Sequence, residues 1–220
     1  MSLLIYGCGD REVSKKVSLN KRANVAEDYT KPAWVGSLKF GFDLRLGPKD
    51  DVKIYLPFLR YLEHNTGNKF SLRFTEKYED TVENLGKGII HFAALGPVNC
   101  VLAKEKYGTG CLVMGLNSEG KPEYRSVIFA KADSPLRDIK DLKGKTFAFG
   151  DKNSTQGHII PRKMLEDAGI TIKDLKSYAF TGSHANTARA VLNGEYETGA
   201  IQDNLANRLV AEGKIKIIAT

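Results

Sequence analysis

Cysteine, histidine and long apolar runs are all scarce in this chain of 220 residues. Its three cysteines and four histidines stand far apart, without the spacing of a disulfide scaffold or a zinc site, so no metal and no cofactor is predicted. No apolar run approaches the ~18 residues of a membrane-spanning helix. What is present is an ordinary globular composition, 42% hydrophobic and 27% charged, in a length that fits one large domain or two small ones.

Clustered positive charge is also lacking. The 33 Lys and Arg residues against 26 Asp and Glu residues give a formal net charge of +7, but the cations are dispersed along the chain. A nucleic-acid-binding surface needs concentrated positive charge, so no nucleic-acid partner is predicted. The dispersed charge indicates a solvated basic surface, which can also help to attract an anionic ligand.

Residues 1–35 differ from the rest of the chain, because they combine an apolar start with a mixed-charge stretch that has no core-forming period. We interpret them as a signal remnant and tether. The run Leu3–Gly7 before Cys8 resembles the end of a bacterial lipoprotein signal, in which the cysteine is lipidated. This interpretation has the chain begin inside its native signal and places the protein outside the cytoplasm on a lipid anchor. Tyr6 is bulkier than that pattern prefers, so a plain free cysteine is the alternative.

From Leu38 onward, strand-like and helix-like segments alternate. Asp51–Asn65 has helical apolar spacing, whereas Lys69–Phe74 alternates with period two. Ile89–Leu95 and Gly110–Gly115 are predicted as further strands. The same alternation returns after the polar Asn117–Glu123, and it predicts two α/β lobes with parallel sheets.

The predicted organisation is a first lobe over 36–118, a second lobe over 119–213, and a crossover strand over 214–220 that returns toward the first lobe. Ligands of open α/β sheets bind outside the carboxyl ends of the strands. With two lobes, those ends can face each other across a cleft.

The sharpest local feature is the polar loop between the strand Thr146–Phe149 and the following helix. Ser154 or Thr155 is a natural N-cap, and the first turn of the helix leaves backbone N–H groups unpaired. Hydroxyls and free N–H groups at a helix start form a socket for a tetrahedral oxyanion, which Gly157 lets approach closely. Pro161 predicts an irregular start to the helix, because it has no N–H to donate to the carbonyl of Gly157. The alternative is a capped helix without a ligand.

A second loop, Phe180–His184, also follows a strand and opens a helix, so it should lie at the same rim as Ser154. His184 could donate a hydrogen bond to an anion, and would do so best when protonated. The alternative is a surface histidine with no such role.

Together these segments resemble the substrate-binding proteins of phosphonate, phosphite and phosphate ABC transporters, the PhnD-like group. The resemblance covers the chain from about Leu38 to its end. It is carried by Tyr55–Leu62, Tyr78–Gly88, Leu95–Pro97, Tyr124–Ile128, Asp141–Lys145, Phe147–Pro161, Phe180–His184 and Val191–Ala200. The spacing between the loop FGDKNSTQGHIIP and the loop FTGSH is the most specific part.

The resemblance implies a type II periplasmic-binding fold whose two lobes close on a ligand without catalysis. It implies that Ser154, Thr155, Gln156 and Gly157 hold the phosphorus oxyanion, that His184 adds a side-chain contact, and that Tyr78 closes over the ligand. Further ligand contacts are expected from His158, Tyr124 and Asp203. The implied partners are a small phosphonate-, phosphite- or phosphate-like anion, an ABC permease, and the membrane through a lipid anchor on Cys8.

Three departures from the family pattern stand out. Gln156 replaces the usual serine of the loop, and Cys100 stands where a tyrosine is frequent. Cys100 could pair with Cys111, or both could be buried free thiols. The family also continues past Thr220 with a strand and a helix that return to the first lobe, so a missing piece would leave apolar surface open or covered by a partner.

Two rival functions remain beside transport. The same fold could serve as the ligand-binding ectodomain of a sensor. An enzyme with Ser154 as nucleophile and His184 as base is the third hypothesis, and it is disfavoured because the sequence shows no third orienting group.

Overall fold

A computed structural model describes residues 36–75, 80–117 and 119–220 of the chain. The predictions for residues 1–35, with lipidation of Cys8, and for Tyr78 fall on residues outside these ranges. Within them, no helix is both long enough and apolar enough to cross a membrane. Two sheets form, one of three strands and one of five, so the two-lobe α/β architecture is confirmed.

The first lobe is a small parallel sheet with helices packed on it. Its strand order is β2-β1-β3. The elements in chain order are β1 (Ser37–Phe42), α1 (Pro48–Thr66), β2 (Lys69–Leu72), α2 (Thr81–Gly86), β3 (Phe92–Ala94) and α3 (Pro97–Tyr107).

Helix α1 packs an aromatic face on β1. Pro48 occupies the first turn, where its missing N–H costs nothing, and Gly67 ends the helix with a left-handed φ of 68°. The rings of Phe40 and Phe42 in β1 lie 5.6 and 4.8 Å from the ring of Tyr55. This contact fixes the end of β1, which points toward the second lobe.

The second lobe is a five-stranded sheet of order β6-β5-β7-β4-β8. Its elements are β4 (Ser126–Lys131), β5 (Thr146–Phe149), α4 (Ile160–Asp167), β6 (Ser177–Phe180), α5 (His184–Leu192), β7 (Thr198–Gln202), α6 (Asp203–Ala211) and β8 (Ile215–Ala219).

The prediction of a fully parallel second sheet is wrong for β4, which runs antiparallel to β7 and β8. The register pairs Ser126 with Gln202, so β4 begins where β7 ends. The chain arrives from the first lobe at the carboxyl edge of β7 and must run away from it. Strand alternation alone does not report this, because it gives no direction of entry.

Strand β8 occupies the segment that was expected to return toward the first lobe. It pairs with β4 at the edge of the second sheet, from Lys131 opposite Ile215 to Ile128 opposite Ala219. Its carboxyl end therefore lies toward the same edge of the sheet as the end of β7.

Both faces of the second sheet are covered. Along β4, Val127 and Phe129 pack toward the cluster formed with α5 and α6, while Ile128 and Ala130 pack toward the cluster that contains Leu165 of α4. This alternation buries a continuous apolar strand on both sides. The sheet is thus a rigid base for the loops at its carboxyl edge.

The predicted strand Gly110–Gly115 does not form; the segment is exposed and pairs with no strand among the residues that the structure describes. Leu112, Val113 and Met114 are 75%, 82% and 67% exposed. Apolar composition alone cannot make a strand, because a strand needs a neighbour to bond. The segment is tied to α3 instead by a disulfide between Cys100 and Cys111, which decides between the two alternatives for these cysteines.

Candidate functional site

The loop after β5 folds around a close contact between two glycines. Ser154 caps the following helix, and its Oγ accepts the N–H of Gly157 at 2.9 Å. A π-helical turn, Thr155–Ile159, precedes α4, which is the irregular start that Pro161 predicts. The Gly157 carbonyl accepts the N–H of Gly150 at 2.8 Å. The freed carbonyl is therefore used to tie the two ends of the loop together.

This geometry leaves donors at the top of the loop. The backbone N–H groups of Thr155 and Gln156 have no hydrogen-bond partner within the described ranges, as expected at a helix start. The hydroxyl oxygens of Ser154 and Thr155 act as acceptors from backbone N–H groups, so their hydrogens remain to be donated. Four donors thus remain at the start of this helix, where the helix dipole is positive.

The second predicted loop lies directly beside the first. The N–H of Thr181 donates to the carbonyl of Phe149 at 3.0 Å, and that of Gly182 donates to the carbonyl of Gly150 at 3.3 Å. Below them, the hydroxyls of Thr181 and the buried Thr187 lie 2.6 Å apart. The rim expected from the sequence brings Ser154 and His184 onto one edge of the sheet.

His184 is buried at the start of α5, with 6% of its surface exposed. Burial, with a smaller contribution from the nearby Arg45 charge, lowers its pKa from 6.5 to about 4. The imidazole is therefore neutral near pH 7. A protonated ring would donate best, but this ring stays uncharged because it is buried and no carboxylate of the described ranges is bonded to it.

The first lobe contributes the opposite rim, which we call the facing rim; it consists of residues 43–45 after β1 and the first turn of α3. The N–H of Val98, in the first turn of α3, donates to Thr155 Oγ1 at 3.1 Å. The N–H of Ala185, in the first turn of α5, donates to the carbonyl of Arg45 at 3.2 Å. These two hydrogen bonds join the lobes on either side of the loop donors.

Sequence reasoning missed Asp43 and Arg45, which follow β1 on this facing rim. Asp43 Oδ2 accepts the N–H of Gly96 at 2.9 Å and the Nδ2 of Asn99 at 3.0 Å. Burial raises the pKa of Asp43, and these two hydrogen bonds offset the rise only in part. Their place directly after a parallel strand is the signal that could have found them, because polar residues there lie at the carboxyl edge of the sheet.

Two buried side-chain atoms in the described ranges have no hydrogen-bond partner, and both lie at this rim. They are Asn99 Oδ1 and His184 Nδ1. Each stands one residue from a hydrogen bond between the lobes, Asn99 beside Val98 and His184 beside Ala185. Buried polar atoms without partners are costly, so their concentration here indicates a place where another molecule completes the bonding.

Gln156 and Asp203 are both tied to Arg125, just before β4. Gln156 donates from its side-chain Nε2 to the backbone carbonyl of Arg125. The backbone carbonyl of Gln156 accepts the hydroxyl of Ser126 at 2.7 Å. Asp203 Oδ2 accepts the N–H of Arg125 at 3.1 Å. These side chains brace the connection between the lobes, and the Gln156 side chain leaves the top of the loop to its backbone N–H.

His158 and Tyr124 occupy different surroundings. His158 donates from Nδ1 to the carbonyl of Lys152 at 2.6 Å and packs edge-on against the rings of Phe149 and Phe180. It therefore supports the loop after β5 from beneath. Tyr124 is exposed, and its hydroxyl lies over Gly115 in the segment after α3.

A cavity of about 340 Å³ lies between α2, α3 and Asn153 of the loop. Its lining includes Asp80, Glu83 and Glu105 against the single cation Lys106. Hydrogen bonding to Lys106 lowers the pKa of Glu83 to about 2, so that carboxylate is charged. This acidic cavity suits an anion poorly, and the donor-rich loop beside it is the better candidate.

The loop after β5 and the residues around it offer hydrogen-bonding groups for a ligand. In the part of the chain that the structure describes, no hydrogen bond joins Ser154 to His184, and no group of three or more His, Cys, Asp or Glu residues could hold a metal ion.

Comparison with known proteins matches residues 40–220 to a family described as ABC transporter, phosphonate, periplasmic substrate-binding protein. The chain is 29% identical over 174 residues to the phosphate-import protein PhnD of Mycolicibacterium smegmatis, covering 74% of this chain and 54% of the relative. It is 27% identical over 148 residues to the phosphonates-binding periplasmic protein of Escherichia coli, covering 65% and 44%. The chain thus spans about half the length of these curated relatives.

Solved structures show the same fold. A binding-protein component of a phosphonate ABC transporter from Pseudomonas aeruginosa superposes with a TM-score of 0.75 at 22% identity, over 83% of this chain and 64% of that one. PhnD1 of Prochlorococcus marinus, in complex with methylphosphonate, gives 0.73 at 21% identity over 83% and 71%. The type II periplasmic-binding fold is therefore confirmed.

Proposed function

Because this chain belongs to the family of periplasmic substrate-binding proteins of phosphonate ABC transporters, we propose that it binds a phosphonate, phosphite or phosphate-like anion between its lobes, without catalysis. The ligand oxygens take the N–H groups of Thr155 and Gln156 and the hydroxyls of Ser154 and Thr155. Gly157 shapes the loop, and neutral His184 adds a side-chain contact from α5.

One observation carries this proposal: the unpaired donors of the loop lie at the same rim as two partnerless atoms, His184 Nδ1 of the second lobe and Asn99 Oδ1 of the first. A tetrahedral oxyanion offers several acceptor lone pairs at once, which matches a cluster of N–H and O–H groups. A donor elsewhere on the ligand, such as the hydroxyl of hydrogen phosphate or the ammonium of aminoethylphosphonate, can in turn donate to an acceptor such as Asn99 Oδ1.

Hydrogen bonds to an anion are about twice as strong as neutral ones. The two hydrogen bonds that join the lobes beside the loop give closure a defined geometry. Closing on the ligand is the expected motion of two lobes joined at one side.

The wider assignments belong to the same proposal. We place the protein in the periplasm or at the cell surface, as the family description supports, with an ABC permease as partner and a lipid anchor at Cys8. The lobes are taken as 36–118 and 119–213, with Tyr78 closing over the ligand from the first. Tyr124, His158 and Asp203 serve the site through the segments they contact.

Calorimetric titration of the full chain tests the proposal. Methylphosphonate, aminoethylphosphonate, phosphite, phosphate and sulfate are titrated in turn. We expect saturable binding of at least one phosphorus compound, and a loss of roughly a hundredfold or more in affinity when Ser154→Ala and Thr155→Ala are combined, since two charge-assisted bonds are removed.

Ser71→Ala with Thr171→Ala is the matched control, because it removes two hydroxyls of the same kinds away from the rim; we expect unchanged affinity. A folded chain that takes up none of the phosphorus compounds would contradict the proposal. Equal affinity in the loop variant and the control would move the ligand away from this loop.

A further inference from the structure

One cation on the facing rim has no role in the proposed binding so far. Arg45 is half-buried, and its guanidinium makes no hydrogen bond or ion pair in the ranges that the structure describes. A guanidinium carries five donors and is always charged. A half-buried guanidinium without an anion is therefore a group that lacks its partner.

The backbone on both sides of Arg45 is held firmly. Asp51 is fully buried and accepts the N–H groups of Arg45 at 3.1 Å and Gly47 at 3.1 Å. The carbonyl of Arg45 accepts the N–H of Ala185 across the lobes. The side chain thus starts from a fixed point at the first turn of α5, and none of these bonds uses the guanidinium.

Geometry places Arg45 where the two lobes meet. Its carbonyl accepts the N–H of Ala185, the residue after His184, whose Nδ1 has no partner. The Arg45 charge also acts to lower the pKa of His184 in the second lobe and of Asp43 and Tyr55 in the first, in each case less strongly than burial changes it.

We propose that Arg45 is a ligand-binding residue of the first lobe, whose guanidinium pairs with the bound oxyanion and selects a doubly charged phosphorus ligand over a singly charged one. This inference rests on the proposed function. The donors on the second-lobe loop are neutral and hold any tetrahedral oxyanion, so a full positive charge is what distinguishes one net charge from two. Coulomb attraction scales with the charge of the ligand, so Arg45 adds more to a dianion.

The test compares methylphosphonate with methanesulfonate, which has a similar shape but one negative charge, on Arg45→Gln and Arg45→Lys chains. Arg60→Gln is the matched control, because Arg60 is an exposed arginine on α1. At a pH where methylphosphonate is a dianion, Arg45→Gln should weaken its binding by roughly ten- to a hundredfold. The affinity ratio of methylphosphonate to methanesulfonate should fall, with partial rescue by lysine, and the Arg60→Gln chain should match the unaltered one.

A second readout needs no ligand. In the Arg45→Gln chain the imidazole of His184, followed by NMR titration, should take up its proton at higher pH, and in Arg60→Gln it should not. Methylphosphonate binding that Arg45→Gln leaves unchanged would overturn the role of Arg45 while the proposed function stands. An unaltered chain that binds no phosphorus anion would overturn both.

Discussion

The N–H of Gly150 donates to the carbonyl of Gly157 at 2.8 Å, and the two backbones touch across the mouth of the binding loop. A methyl group on Gly157 would lie 3.0 Å from Gly150 Cα and 3.0 Å from Ser154 Oγ. The small size of Gly157, which is expected to let a ligand approach, also lets the backbone at Gly150 pack against it. Its smallness closes the loop and orients the donors that follow Ser154.

Gly157→Ala is expected to open this contact. The added methyl must push against backbone, so we expect a loss of about 1–3 kcal/mol in the free energy of unfolding and weaker ligand binding. Urea denaturation and titration with the best phosphorus ligand measure the two effects. Gly110→Ala is the control, since a methyl group there meets nothing within 4 Å. Stability equal to that of the Gly110→Ala chain would show that the loop does not depend on the contact.

The sequence predicts much of this loop because its signals are local. A capping hydroxyl at Ser154 and a proline that cannot donate to Gly157 are enough to foresee an irregular helix start with free N–H groups. The partner of the Gly157 carbonyl could not be foreseen, since it depends on how the strand before the loop approaches. The antiparallel direction of β4 was missed for the same reason: it depends on where the chain enters the sheet.

The first-lobe half of the rim shows a different limit. Arg45 becomes a candidate ligand-binding residue only because α5 of the other lobe packs against it. No residue near Arg45 in the sequence predicts that contact. For Gly110–Gly115 the sequence predicts too much. Its composition favours a strand, but the described fold has no strand beside it to pair with. Contacts between segments that are distant in the sequence decide both outcomes, and a local sequence pattern does not report such contacts.

Stability should depend on pH through His184. Its pKa in the folded chain is about 4, below the ordinary 6.5, so the unfolded chain binds more protons between these values. The contribution is fully present above pH 6.5 and is lost as the pH falls toward 4, by about 3 kcal/mol at most. In His184→Gln, urea midpoints should change less between neutral and acid pH. The exposed His64→Gln should keep the full change, and identical profiles for both variants would refute the assignment.

The disulfide should be visible in a thiol count. In a chain produced without a lipid on Cys8, one bond between Cys100 and Cys111 leaves a single free thiol per chain under denaturing conditions without reductant. Because the bond closes a loop across 11 positions, Cys100→Ser should lower the free energy of unfolding by about 3 kcal/mol. Cys8→Ser is the control and should leave stability unchanged. Three reactive thiols in the oxidised chain would exclude the bond.

Asp51 should contribute far more to the free energy of unfolding than its neighbour Asp50. Asp51 is fully buried and holds the N–H groups of the loop that presents Arg45. Asp51→Ala leaves those groups without an acceptor, so we expect a loss of about 3 kcal/mol in unfolding free energy. Asp50 makes an exposed ion pair with Lys53, so Asp50→Ala should leave the urea midpoint nearly unchanged. Comparable urea midpoints for the two variants would contradict the role given to Asp51.

The central claim is that a phosphorus oxyanion sits on the N–H groups at the start of the helix after β5, opposite the first lobe. The most direct measurement follows backbone amide chemical shifts by NMR while methylphosphonate is added. We predict that the amides of Thr155 and Gln156 move downfield and saturate together with those at the start of α5. Saturable shifts confined to the acidic cavity around Lys106, with the Thr155 and Gln156 amides unmoved, would contradict the account.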